Sequence, residues 1–255
     1  MKKHYTQLLT AMLGTLGAAM TFGAQAADQP PHWEYTGQLG AEHWGDIDAN
    51  FLKCKDGKNQ SPINIIAKDT GKSALKPIKF SYAAGKADVV NTGHTVQVNL
   101  AKGGEAAFDG AKYQLLQFHF HTPSEEKVNG RTYPLVAHLV HKNTEGKLAV
   151  VAVLFEEGAE NAALKEIFNN MPATAGETKT LPANFNITKL LPAKQTYYAF
   201  TGSLTTPPCS EEVRWQVLKD SVTLSTAQLE SFQKLYAMNA RPVQPMNGRK
   251  VQGGK

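Results

Sequence analysis

Gln117-Phe118-His119-Phe120-His121, followed by Leu135-Val136-Ala137-His138-Leu139-Val140, decides how this chain is read. Both runs are aromatic or β-branched and bounded by turn residues, so both are predicted strands. Side chains alternate along a strand. Gln117, His119 and His121 therefore share one face, and Phe118 and Phe120 take the other. Between the runs lies Asn129-Gly130, a strong signal for a tight hairpin. A hairpin symmetric about that pair sets position 121 opposite 138 and gathers three imidazoles on one patch, although Pro123 and the polar run after it weaken the arms near the tip. Three neutral nitrogen donors with a fourth position open to water form the ligand set of a catalytic zinc site. A structural zinc or a copper ion would accept the same donors, so this geometry leaves the metal and its task open. A single strand histidine is more often a satisfied polar residue. The i, i+2 pair with a third imidazole across the turn is what points to a metal.

Outward from this core, the 255 residues begin with a segment patterned as an export signal. Lys2 and Lys3 precede a mostly apolar stretch from Leu8 to Phe22, and Ala24-Gln25-Ala26 offers a small-x-small cleavage site. Residues 1–26 are thus expected to be removed, leaving 27–255 as one domain in the periplasm. No later stretch is apolar enough to span a bilayer. Losing Lys2 and Lys3 takes the formal charge from +5 to +3, with the lysines evenly spread, which does not suggest nucleic acid. The two cysteines, Cys54 and Cys209, form an even pair in an exported chain and read as a disulfide.

Further strand patterns cover 61–66, 78–82, 87–91, 94–100, 113–121, 134–141, 147–155 and 212–219. Leu148 to Phe155 is continuously apolar, as a strand covered on both faces should be. Two helices are predicted, over 160–170 and 225–238, the second opened by a Ser-x-x-Gln capping box. Strands dominate, so the expected class is mainly β (α+β): one domain on a large sheet with a few peripheral helices.

Spaced along nearly all of residues 32–249 are Glu42-His43-Trp44-Gly45, Gln60-Ser61-Pro62-Ile63-Asn64-Ile65, Gly93-His94-Thr95-Val96, Gln117 to His121, Ser124-Glu125, Ala137-His138-Leu139-Val140-His141, Gly202-Ser203-Leu204-Thr205-Thr206-Pro207-Pro208-Cys209 and Arg241-Pro242-Val243-Gln244-Pro245. This ordered set resembles the α-class carbonic anhydrases, in particular the exported bacterial ones. The resemblance implies a mostly antiparallel twisted sheet of about ten strands and a cleft that reaches one zinc ion per chain. It implies that His119, His121 and His138 hold the zinc, whose water, ionised to hydroxide, attacks CO2 to give bicarbonate. By the same resemblance Thr205 and Glu125 orient the nucleophile, Thr206 is a neighbour of the substrate, and Val140, Val150, Leu204, Val213 and Trp215 form the apolar wall beside CO2. His94 matches the proton shuttle, and Tyr35 and Gln97 match residues that order its waters, although Thr92 stands where Asn is common. Sulfonamide and anion inhibitors are expected to bind, and a homodimer is one assembly the resemblance allows.

Around the ligands, Gln117 shares the face of His119 and can accept from its free N–H, and the carbonyl of Asn239 matches the partner of His121. One cluster departs from the family. Val136 occupies the place of a glutamate two residues before the third ligand. Glu126 follows the gatekeeper Glu125 where a histidine is frequent, and Phe200 replaces a tyrosine. Glu126 is expected to supply the missing carboxylate to His138. Two other functions fit the sequence less well. A silent binding module would lack a zinc ligand, and all three are present. A zinc hydrolase of the His-Glu-x-x-His kind lacks its motif here.

Overall fold

Alternation of side chains along the central strands sorts the apolar residues onto the two faces of one sheet. The computed structural model describes residues 31–253, so the predicted export signal lies outside the described residues. The chain from Pro31 onward forms one unit. Seven strands carry the argument: β1 (Ala87–Asn91), β2 (Val96–Leu100), β3 (Ala111–His121), β4 (Leu135–Lys142), β5 (Leu148–Glu157), β6 (Tyr197–Ser203) and β7 (Glu211–Leu218). They lie in the order β1-β2-β3-β4-β5-β7-β6. Short strands extend both edges, Thr178–Thr180 beside β1 and Gln252–Gly253 with Gly71–Lys72 beyond β6.

The whole sheet has 13 strands and is mixed rather than purely antiparallel. β5 runs parallel to both β7 and Val222–Leu224. The predicted strand count of about ten corresponds to the main path. The remainder is three strands of three or four residues: Lys79–Ser81, inside the predicted 78–82 strand, and Glu105–Phe108 and Val222–Leu224, which are too short to show a period.

β5 shows why its run is continuously apolar. Ala149, Val151, Val153 and Phe155 enter one core, while Val150, Ala152 and Leu154 enter the other. On β4, Leu135, Ala137 and Leu139 face the first core with Phe118 and Phe120 of β3. Val136 and Val140 face the second. Each fully buried side chain of this size contributes about 1.5–3 kcal/mol. The first core is closed by helices α1 (Ala162–Phe168) and α2 (Thr226–Gln233), through Leu164, Ile167, Leu229 and Phe232. Ser225 and Gln228 make the predicted capping box at α2. Asn161 caps α1 through the backbone N–H groups of Ala163 and Leu164. With helices on that face, the opposite face of β3 and β4 is left for the histidines.

The hairpin register differs from its prediction. Asn129 and Gly130, with φ of 52° and 79°, do turn a hairpin, pairing Lys127 with Thr132 and Val128 with Arg131. These short arms belong to a separate three-stranded sheet with Asn64–Ile65, the only part of the predicted 61–66 strand that is extended and paired. By the time β3 and β4 meet, the register has slipped by two: His138 faces His119, and His121 faces Val136. The segment 122–126, containing the Thr122–Pro123 peptide, absorbs the difference. A slip of two preserves the face of every side chain, so the imidazoles still converge.

Candidate metal centre

The strand rows build the site. Gln97 on β2, His119 on β3 and His138 on β4 lie side by side in register. His121 is one pleat farther along β3 on the same face. The donor nitrogens of His119, His121 and His138 all lie within 4.8 Å of one another. Tetrahedral zinc at about 2.0–2.1 Å sets its donors about 3.4 Å apart, so roughly an ångström of inward movement closes the cluster.

Each imidazole has one nitrogen fixed by the protein. His119 Nδ1 meets Gln117 Oε1 at 2.8 Å, as strand period two allows. His121 Nδ1 meets the Asn239 carbonyl at 2.7 Å. His138 Nε2 meets Glu126 Oε2 at 3.1 Å. The other nitrogens, Nε2 of His119 and His121 and Nδ1 of His138, are left as ligands. His121 Nε2 is buried and has no protein partner. A buried orphan of this kind costs about 1–3 kcal/mol, which a metal would relieve. The donor set therefore fits a borderline-soft divalent metal such as zinc.

For His119 and His121 the electrostatics favour the neutral, ligating form. Burial pushes His119 down to about 3, and the neighbouring His138 adds to the effect. Burial also holds His121 well below the usual histidine value, with His138 and His119 adding to it. Burial alone would lower His138, but the Glu126 carboxylate at Nε2 and the nearby Glu125 raise it overall. Burial lifts Glu125 to about 7. His138, the Arg241 N–H donated to Glu125 Oε1 at 2.8 Å and the adjacent Thr205 hydroxyl all pull it down, while Glu126 pushes it up.

A cleft of about 180 Å³ opens over the histidines, lined among others by Tyr35, His94, Gln97, Gln117, His119, His121 and Thr206. His94 stands at its rim, half-buried and stacked on Trp33 with ring centroids 3.7 Å apart. Burial and the neighbouring His32 lower its pKa. Tyr35 is edge-on to His121 at 6.5 Å. Gln97 donates to Asn99 Oδ1 at 2.8 Å. Beside His138, buried rather than lining that cleft, Val140, Val150 and Trp215 lie in adjacent register on β4, β5 and β7. Val213 and Leu204 complete one apolar cluster with them, and the Trp215 ring is 4.9 Å from His138.

Two residues of this site escaped the sequence reading. Trp33, beside His94, left no signal except an aromatic in an aperiodic segment. Arg241 stood in the Arg-Pro-Val-Gln-Pro motif, but its buried guanidinium anchors Gln60, Ser61 and Cys54 while its backbone holds Glu125. The disulfide of Cys54 and Cys209 is formed, with Cα atoms 5.0 Å apart.

His141 lies on β4 away from the cluster, buried against the Tyr82 hydroxyl at 2.6 Å. Burial lowers it from 6.5 to about 4. The unfolded chain takes up this proton near pH 6.5 and the folded chain only near 4. Its contribution to stability is therefore complete above about pH 6.5 and is lost as pH falls toward 4. By pH 4.5 the loss is about 2–3 kcal/mol. Phenylalanine fits between the neighbouring Tyr82 and Phe108 rings. In urea titrations, His141→Phe should be weaker at neutral pH but lose less stability between pH 7 and 4.5 than the parent. Parallel stability–pH curves would refute this assignment.

Fold and cluster together describe a protein that can hold a metal ion through three histidines on the open face of a large mixed sheet. A family model for eukaryotic-type carbonic anhydrase matches residues 39–254. The chain belongs to this family, the carbonic anhydrases of the α class. A carbonic anhydrase of Neisseria gonorrhoeae is 46% identical over 245 residues, covering 95% of each chain. The α-carbonic anhydrase of Thermovibrio ammonificans, solved with the inhibitor sulfanilamide, superposes with a TM-score of 0.86 at 47% identity, covering 88% of this chain and 100% of that one. Dioscorin complexed with ascorbate superposes with a TM-score of 0.82 at 30% identity, covering 87% and 97%. Among the described residues no helix is long and apolar enough to cross a membrane.

Proposed function

We propose that this chain catalyses the reversible hydration of CO2 with one zinc ion held by His119, His121 and His138, and that it works in the periplasm after removal of residues 1–26. The observation that carries this reading is the convergence of three imidazole nitrogens between an open cleft and a buried apolar cluster. Fold alone does not fix activity, since the dioscorin neighbour was solved with ascorbate. The donor set supports the catalytic reading.

Zinc bound there supplies Lewis-acid charge that brings the pKa of a water down to about 7. The chain's residues do the rest. Arg241 N–H fixes one Glu125 oxygen, and the buried other one, Oε2, has no protein partner and is the acceptor offered to the adjacent Thr205 hydroxyl. The Thr205 oxygen is then left to accept from the attacking water and aim it. Val140, Val150, Leu204, Val213 and Trp215 present a dry surface to CO2, which forms only weak hydrogen bonds. The water oxygen bonds to the CO2 carbon, giving bicarbonate and one proton. His94 takes that proton at the rim through waters ordered by Tyr35 and Gln97, and passes it to buffer, while Thr206 neighbours the substrate. Sulfonamides, as in the Thermovibrio complex, should enter the same cleft.

Stopped-flow CO2 hydration tests both parts. Zinc-loaded protein should be active and blocked by sulfanilamide. His94→Ala should lose about ten- to a hundredfold in weak buffer, with part of the rate restored by added imidazole. An inactive zinc-loaded parent would end the reading. Equal losses at all buffer strengths would remove His94 from the proton path.

A further inference from the structure

Period two gives His119 its partner, because Gln117 lies two residues earlier on the same face of β3. His138 has no such recourse. The equivalent position on β4 is Val136, fully buried and unable to accept a hydrogen bond. The carboxylate that meets His138 Nε2 comes instead from outside the strand, from Glu126, whose side chain is fully buried. A buried carboxylate persists only where something holds it in place. Ser124 fixes the backbone that carries it: its hydroxyl donates to the Glu126 carbonyl at 2.8 Å and accepts from Tyr133 N at 2.9 Å, while Glu126 Oε1 is buried without a protein partner, so His138 is the group that engages the carboxylate. Ser124 N in turn donates to the Tyr133 carbonyl at 2.8 Å.

We infer that Glu126 is the positioning residue for His138 and sets how tightly the centre retains its metal. The inference rests on the metal-centre reading above. Gln117 and the Asn239 carbonyl are neutral acceptors, so among the described residues Glu126 is the one charged group hydrogen-bonded to the outer nitrogen of a ligand; Glu125 Oε1 stands farther off, 3.5 Å from His121 Nδ1. Accepting from Nε2–H fixes the tautomer that leaves the Nδ1 lone pair facing the other imidazoles, and the carboxylate raises the basicity of that nitrogen. Glu125 Oε2 stands 3.7 Å from Nδ1 and Glu126 Oε2 3.1 Å from Nε2, so two successive carboxylates flank one ring. Val136, packed with Trp215 and Phe200, keeps the strand side of the ring dry, so the carboxylate can enter only from the hairpin side.

Zinc competition against dipicolinate is the test, run on the parent, Glu126→Gln, Glu126→Ala and Glu126→Ala/Val136→Glu, with thermal melts of the metal-free proteins as a check on folding. Glu126→Ala should lower zinc affinity about 10–100-fold, the usual range for a group that orients a ligand. Glu126→Gln should fall between the two. Val136→Glu should restore part of the loss, because position 136 shares the face of His138. In 15N spectra taken at a pH where the ring is neutral, His138 of the metal-free parent should show one tautomer, protonated at Nε2, and Glu126→Ala a mixture. Unchanged zinc affinity in Glu126→Ala, or a folded double variant no tighter than the single one, would overturn the inference. A parent that binds no zinc would instead overturn the functional reading on which it rests.

Discussion

Replacing His121 with alanine should lower zinc affinity by about 10²–10³-fold and remove CO2 hydration at trace zinc. A four-ligand zinc site is worth about 10–16 kcal/mol, so one ligand accounts for about 3–4 kcal/mol, and each 1.36 kcal/mol is tenfold. His121 is the ligand whose loss reads most cleanly. It is fully buried, its Nδ1 is tied to the Asn239 carbonyl, and its Nε2 has no protein partner. A residue kept only for packing would lower the stability of metal-free and metal-loaded protein equally. A ligand lowers chiefly the gain in melting temperature that zinc confers. Isothermal titration with zinc and melts with and without the ion separate the two. Full zinc stoichiometry at parental affinity in His121→Ala would mean that the donors have been assigned to the wrong residues.

Much of this site was legible because strand periodicity is a local property. Gln117, His119 and His121 could be set on one face, and Phe118 and Phe120 on the other, from five residues of sequence. The same rule foresaw that β5 would be covered on both sides. Pairing register is not local. The Asn129-Gly130 turn closes the short arms as expected, yet the segment 122–126 shifts the longer pairing by two, and nothing in its composition measures that shift. The prediction survived where it mattered only because the shift was even. β6 was missed because Tyr197–Ser203 mixes aromatic, small and polar residues, and its burial comes from β7 rather than from its own pattern. The parallel join of β5 to β7 depends on a long crossover through α1 and β6, which no short window contains. Arg241 shows the same limit at the site. Its backbone reaches Glu125 across 116 positions, so proximity to the histidines could not be read from its neighbours.

Removing the Cys54–Cys209 bridge should lower the melting temperature by about 5–20 °C. The two cysteines are 155 residues apart, and closing a loop of that length removes roughly 5 kcal/mol of unfolded-state entropy in the chain model. Measured losses on removing native bridges run about 2–5 kcal/mol, and for a domain of this size each kcal/mol shifts the melting point by about 2–4 °C. The loss should not stop at stability. Cys209 N donates to the Thr206 carbonyl, and Leu204 N donates to that of Ser210, so the bridge pins the loop that carries Thr205 and Thr206. From the same bridge a hydrogen-bond chain runs inward. The Cys54 carbonyl accepts from Arg241 Nη2, and the Cys209 carbonyl accepts from Gln60 Nε2. Gln60 Oε1 accepts from Arg241 Nη1, and Arg241 N donates to Glu125. Cys54→Ser/Cys209→Ser should therefore lose CO2-hydration rate at temperatures well below its melting point while keeping its zinc, because the loop and Glu125 loosen and the three imidazoles do not. Calorimetry, zinc analysis and stopped-flow rates on one sample test this together. A melting point within about 2 °C of the parent, or zinc lost in step with activity, would show that the bridge does not brace the loop.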